Sequence, residues 1–173
     1  MKAIITDLDR TLLHTDKSVS EHTIAVLKKC HDHGILIMAA SARPIRDILI
    51  YNNLIGFDAI TATNGAVVSL PQNLLEIGIP CESGEKILSA ILQYPDVFLS
   101  IETSKGLYSN RDIPVWEPVI WDKFPTLPED IILYKILASS QQKPLYEGIE
   151  TTLTDDVYHT IANNDLIQIM SNK

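Results

Sequence analysis

The chain has 173 residues, 46% apolar and 21% charged, so it can bury a core and is not expected to be disordered. Its net charge of −8 comes without any cluster of lysine and arginine, which argues against a nucleic-acid partner, because phosphate backbones require such clusters. No apolar run approaches the ~18 residues of a membrane span, so no membrane partner is expected either.

Two cysteines, Cys30 and Cys81, lie far apart and match no metal or redox spacing. No charged-then-apolar leader precedes the first strand. Both features lead to the expectation of a cytoplasmic protein. Residues 1–80 carry 7 basic and 8 acidic side chains, whereas residues 81–173 carry 7 and 14. Nine of the eleven aromatics and most prolines also fall in the later part. Two units meeting near Pro80 are therefore expected, at 1–80 and 81–173.

Residues 2–7 predict an apolar strand that ends in Asp7-Leu8-Asp9, with Thr11 close behind. Side chains two apart on a strand share a face. Two carboxylates held that close repel unless a positive charge sits between them, and Mg²⁺ is the natural oxygen-liganded candidate. A solvated strand end followed by a turn also accounts for the triplet taken alone. Ser18 and Glu21 fit a capping box, opening a helix with Thr23, Val26, Leu27 and Cys30 on one face and Gly34 as its stop. Residues 35–40 form a run apolar on both faces, which predicts a strand covered on both sides. Pro44 opens a second helix with Ile45, Ile48 and Leu49 inward, ending by Gly56. Residues 57–62 make a third strand. Alternating strands and helices with short links predict a doubly wound α/β sheet.

Beyond Asn64-Gly65 the pattern changes. A hairpin is expected around residues 71–73, and then a helix at about 82–94. Strands follow at about 97–103 and 106–109, with a Trp/Pro-rich stretch to 128. A strand at about 131–138, a helix at about 142–150 and strands at about 156–162 and 165–170 complete an α+β unit on a mostly antiparallel sheet. The five histidines show no metal spacing. His31 and His33 are expected to interact with a helix end. Trp116, Trp121 and Phe124 fit a small packed cluster or a loop facing substrate.

In an open α/β sheet, ligands sit beyond the carboxyl ends of the strands. Three such ends carry polar groups here: Asp7 and Asp9 after the first strand, Ser41-Ala42-Arg43 after the second, and Thr63-Asn64-Gly65 after the third. A hydroxyl and backbone N–H groups at a helix start make a phosphate cradle. Ser41 alone reads as a helix cap, Arg43 as a solvated side chain and Asn64-Gly65 as a tight turn. Their occurrence together, at consecutive strand ends, is what these separate readings explain poorly.

These pieces resemble the haloacid dehalogenase superfamily, specifically its Cof-like subclass IIB phosphatases. The resemblance rests on residues 7–12, 40–44 and 60–66 and covers residues 1–66 closely. It implies a Rossmann-like parallel-sheet core followed by an α+β cap. It further implies that Asp7 is the nucleophile forming an aspartyl-phosphate and that Asp9 is the general acid and then the base. Mg²⁺ would be held by the Asp7 carboxylate and the Asp9 carbonyl. Ser41 and the Ala42 amide would bind phosphate, with Arg43 and Asn64 lining the pocket. The implied substrate is a small phosphorylated metabolite, a sugar phosphate or cofactor phosphate.

The sequence departs from the family pattern at Arg10, where glycine is usual, and at Ser41-Ala42, where Thr-Gly is usual. The family's later lysine and Gly-Asp…Asn-Asp segment have no counterpart before Lys173. This leaves two expectations: an active hydrolase, or a phosphate-binding module with little turnover. It also predicts that residues 2–7 form an open apolar sheet edge, which would join a longer chain or pair with a second copy. A phosphoacceptor receiver domain is disfavoured, because that fold needs an aspartate where Asn64 stands.

Overall fold

Five strands and two helices build the N-terminal unit. Apolar and β-branched residues form β1 (Lys2–Thr6), β2 (Ile35–Ala40) and β3 (Ala59–Ala62), and a hairpin adds β4 (Val67–Leu70) and β5 (Asn73–Glu76). The computed structural model describes residues 1–140, 145–162 and 166–173. The sheet order is β1-β2-β3-β4-β5. β1, β2 and β3 run parallel, while β4 and β5 run antiparallel. Parallel neighbours need crossover helices, and these are α1 (Glu21–Asp32) and α2 (Ile45–Ile55). Leu27 of α1, Ile55 of α2 and Ile37 of β2 share one buried cluster, so both helices cover the same face of the sheet. On β2, Ile37 and Ala39 are buried under that face, whereas Leu36 and Met38 on the other are only half-buried.

Two helix details differ from expectation. The N-cap of α1 is Ser20, whose hydroxyl accepts from the Thr23 N–H, and not Ser18. Ser18 instead bonds the Asp16 carboxylate in the preceding turn. On α1, Ile24 rather than Val26 packs beside Leu27 and Cys30, leaving Val26 exposed. On α2, Leu49 is exposed and Tyr51 is buried in its place, on the same stripe as Ile48 and Ile55. Gly56 ends α2 in the left-handed conformation, as a C-cap requires. β1 lies at a sheet edge, with Ile5 68% exposed.

The chain divides into Met1–Glu76 and Ile77–Lys173. The second unit holds α3 (Cys81–Ile91), β6 (Phe98–Thr103), β7 (Gly106–Ser109), β8 (Val119–Ile120), β9 (Leu133–Ser139), α4 (Leu145–Glu150), β10 (Val157–Ala162) and β11 (Leu166–Ser171). Its sheet runs β10-β11-β9-β6-β7-β8, antiparallel except for β7 with β8. Residues 142–144 of the expected helix and residue 165 of the last expected strand lie outside the described residues. Ile87, Leu88 and Ile91 of α3 pack with Leu99, Ile101, Ile136 and Ile169 of the sheet in one core. Phe124 packs against that core. The Trp121 indole donates to the Thr126 carbonyl and meets Tyr108 edge-on, while Trp116 is exposed. Among the described residues, no helix is long and apolar enough to cross a membrane.

Lys135 of β9 is buried directly across from Glu102 of β6. Burial pushes the Lys135 ammonium down to about 8, against the opposing pull of the Glu102 charge. An unfolded lysine keeps its proton to about 10.4. Between these values the unfolded chain binds more protons, so stability increases with pH there. Urea denaturation should show the wild type gaining up to about 2 kcal/mol between pH values of about 7.5 and 9.5, and Lys135→Met should flatten that slope.

Candidate active site

Leu8 is fully buried between two carboxylates, so the alternation of the chain sends Asp7 and Asp9 outward on either side of an anchor. The loop then folds back on itself. The Leu13 N–H donates to the Leu8 carbonyl at 2.8 Å and the Leu12 N–H to the Asp7 carbonyl at 3.3 Å. Asp7 is exposed, and the Thr11 hydroxyl lies 3.4 Å from its Oδ2. Arg10, where the family pattern has glycine, adopts φ of +63°. That is the left-handed region, which explains the family's preference.

Asp9 is the meeting point of the site. Arg43 Nε donates to its Oδ2 at 2.7 Å and Arg43 Nη2 to its Oδ1 at 2.8 Å, a two-pronged contact that ties the end of β1 to the end of β2. Lys17 Nζ donates to the same Oδ1 at 2.6 Å. The Arg43 hydrogen bonds, followed by that of Lys17, hold the Asp9 carboxyl far below the usual carboxylate range, although burial opposes them. Asp9 in turn raises the guanidinium of Arg43.

The loop after β2 is stitched to the loop after β3. The Ser41 N–H donates to the Thr61 carbonyl, the Thr63 N–H to the Arg43 carbonyl and the Asn64 N–H to the Ser41 carbonyl, at 2.9, 2.8 and 3.3 Å. Ser41 is buried, and its hydroxyl accepts from the Arg43 N–H at 3.2 Å. It does not cap α2, whose N-cap is Pro44 without a side-chain bond. Ala42 is exposed and keeps a negative φ, so its methyl is accommodated. Thr63 and Asn64 both take left-handed backbone angles, +50° and +58°. Such angles cost about 1–3 kcal/mol each for non-glycine residues and gather at functional sites.

The six residues singled out in the sequence thus fall on three neighbouring strand ends. Asp9 and Arg43 are joined directly. Ser41, Ala42 and Arg43 share one loop, and the Asn64 backbone is bonded to it. Asp7 reaches the group through the turn containing Thr11. Sequence reasoning missed Lys17 and Tyr51. Tyr51 carries the Arg43 guanidinium 5.8 Å above its ring, and its hydroxyl donates to the Lys17 carbonyl at 3.1 Å. Neither residue announces this in sequence, because Lys17 sits in an unpatterned polar loop and Tyr51 occupies an ordinary inward helix position.

The donor set suits Mg²⁺, which takes one or two carboxylates and keeps several waters. Asp7 would offer a carboxylate and Asp9 a backbone oxygen to such an ion. Among the described residues, no group of three or more His, Cys, Asp or Glu could form an all-protein metal cage. The Asp9 carboxylate is occupied by Arg43 and Lys17, so its side chain is not an available ligand in this arrangement.

A family model of haloacid dehalogenase-like hydrolases matches residues 4–172. The chain belongs to this family. Over 71 residues it is 35% identical to a Bacillus subtilis enzyme named 5-amino-6-(5-phospho-D-ribitylamino)uracil phosphatase YitU. That match spans 40% of this chain and 26% of the enzyme. The fold resembles that of BT1666 from Bacteroides thetaiotaomicron, a phosphatase of the haloalkanoate enzyme superfamily, with a TM-score of 0.79 and 22% identity. It also resembles TM0651 from Thermotoga maritima, with a TM-score of 0.82 and 20% identity. Each likeness covers 99% of this chain and 67% or 70% of the other. The Rossmann-like α/β fold class read from the sequence agrees with these neighbours.

Replacing Arg10 with glycine relieves the left-handed backbone at a modest entropic cost. Arg10→Gly should stabilise the protein by about 0.5–1 kcal/mol, read as a raised urea midpoint with an unchanged slope.

Proposed function

We propose that this protein hydrolyses a small phosphate monoester, a sugar phosphate or cofactor phosphate, with Mg²⁺ at Asp7 and Asp9. The observation that carries this reading is the junction of the three strand ends, where Arg43 bridges to Asp9 and the 41–43 loop is bonded to Thr63 and Asn64. Family membership supports the reaction class, and the phosphatase named above supports a cofactor-like phosphate as substrate.

Asp7 is the nucleophile, because its carboxylate is exposed at a strand end and free of cationic partners among the described residues. One Asp7 oxygen attacks phosphorus as the ester P–O bond breaks, and the leaving oxygen takes a proton from Asp9, which must first release a cation and take that proton up from solvent. Asp9 then removes a proton from water, which attacks phosphorus, releases phosphate and restores the Asp7 carboxylate. Ser41, the Ala42 N–H, Arg43 and Asn64 hold the phosphoryl oxygens. Mg²⁺ supplies charge dispersal at the transferring group. The unit Ile77–Lys173 is the cap that selects the substrate. The free thiols of Cys30 and Cys81 fit a reducing, cytoplasmic setting.

A second reading, a phosphate-binding module with little turnover, draws support from Asp9 itself. A carboxylate gripped by two cations cannot donate a proton until one lets go. A generic aryl phosphate with Mg²⁺ separates the two readings. The hydrolase releases phosphate, and Asp7→Asn reduces the rate by at least about 10³-fold, the scale of losing the covalent step. Phosphate binding without any release of product favours the module instead.

The open β1 edge, with Ile5 exposed, supports pairing with a second copy. Sedimentation of the 173-residue chain should show a dimer at micromolar concentration, and Ile5→Lys should shift it to monomer. A wild type that stays monomeric there removes this proposal.

A further inference from the structure

We infer that Lys17 is a phosphate-contacting residue, resting on Asp9 in the free protein and passing to the substrate's phosphoryl group when it binds. The inference builds on the phosphate-site reading above. Its starting point is charge. One carboxylate, Asp9, carries two cations, and both Lys17 and Arg43 bond the same Oδ1. The trio therefore bears a surplus positive charge, which a phosphate dianion neutralises better than a single carboxylate does.

The two cations are held differently. Arg43 grips Asp9 with two nitrogens, is largely buried and lies over the Tyr51 ring. Lys17 makes one contact, and its side chain is 55% exposed. A hydrated ammonium on a flexible stem exchanges partners readily, whereas a planar fork does not. Lys17 is therefore the partner that leaves.

The backbone of Lys17 argues against an incidental surface contact. Lys17 takes φ of +67°, a conformation that lysine rarely adopts. A tight turn fixes it there, with the Lys17 N–H on the His14 carbonyl at 3.0 Å and the His14 N–H on the Ser18 carbonyl at 2.9 Å. The Asp16 carboxylate takes both the Ser18 N–H and hydroxyl. The buried Tyr51 hydroxyl bonds the Lys17 carbonyl. The base of this side chain is thus pinned while its tip is held by a single solvent-exposed contact. Tyr51 is the positioning residue, since one ring supports Arg43 and its hydroxyl anchors Lys17.

The test is calorimetric titration of the full chain with inorganic phosphate in the presence of Mg²⁺, alongside aryl phosphate hydrolysis. Lys17→Gln should weaken phosphate binding by about tenfold, the scale of one charge-assisted hydrogen bond. Lys17→Arg keeps the charge but can grip Asp9 with a planar fork, so it should recover part of the lost binding, to within about fivefold of wild type. Tyr51→Phe keeps the ring beneath Arg43 and should weaken binding by a few-fold through the unpinned turn. It serves in place of Lys17→Gln if circular dichroism shows that variant unfolded. Phosphate affinity within twofold of wild type in Lys17→Gln, or in Tyr51→Phe where it stands in, overturns the inference even where hydrolysis is intact. A wild type that binds phosphate through Lys17 yet hydrolyses nothing upholds the inference and removes the hydrolase reading. A wild type that binds no phosphate removes both.

Discussion

Asp9 carries its charge at the end of β1 between two cations, both of which come from later in the chain. Arg43 arrives from the end of β2, 34 residues later, and Lys17 from the loop that follows Asp9 itself. Every polar feature of the site is arranged around this clasp. Arg43 extends over Tyr51, its carbonyl receives Thr63, and its N–H is held by Ser41. A substitution at Asp9 would therefore loosen three loops as well as remove one acid.

The clasp also explains why the parallel strands matter. β1, β2 and β3 run side by side in the same direction, so their carboxyl ends lie in one row. Each strand end turns into a loop whose N–H and C=O groups have lost their ladder partners; those after β2 and β3 bond each other, whereas the loop after β1 folds back on itself and is tied to its neighbour through the Asp9 and Arg43 side chains. Backbone strain collects at the same row, at Arg10, Lys17, Thr63 and Asn64. Left-handed backbone at four non-glycine residues persists only where the surroundings over-determine it. The interlocked loops, with Leu8 and Leu13 buried beneath them, provide that constraint.

Under the proposed reaction, the two aspartates divide the work by charge. Asp7 keeps an exposed carboxylate that, among the described residues, meets just the Thr11 hydroxyl, which suits the proposed nucleophile beside a hydrated cation. Asp9 is neutralised by side chains, which suits a group that must change its protonation only after substrate has entered. Two aspartates separated by one residue thus acquire different electrostatic surroundings from their neighbours alone.

Strand and helix periods were legible in the sequence because they follow from hydrophobic alternation, and so was the row of polar strand ends. Asp7, Asp9, Ser41, Ala42, Arg43 and Asn64 could be named because each stands where an apolar run stops. The edge position of β1 also followed from the number of strands available. The start of α1 was misread at Ser18, since two serines two residues apart both satisfy a capping pattern and only the Asp16 turn decides between them. Leu49 and Tyr51 exchanged places for a similar reason: both are apolar enough for a helix stripe, and the contact with Lys17 and Arg43 selects Tyr51. What the residue order determined by itself was most of the strands and helices and the acidic strand end, because these depend on local period and charge; the two-residue β8 (Val119–Ile120), in the Trp/Pro-rich stretch, was not among them. What tertiary structure decided was which cations meet Asp9, because a partner 34 residues away and a lysine aimed by a left-handed turn are matters of three-dimensional approach that no local pattern encodes.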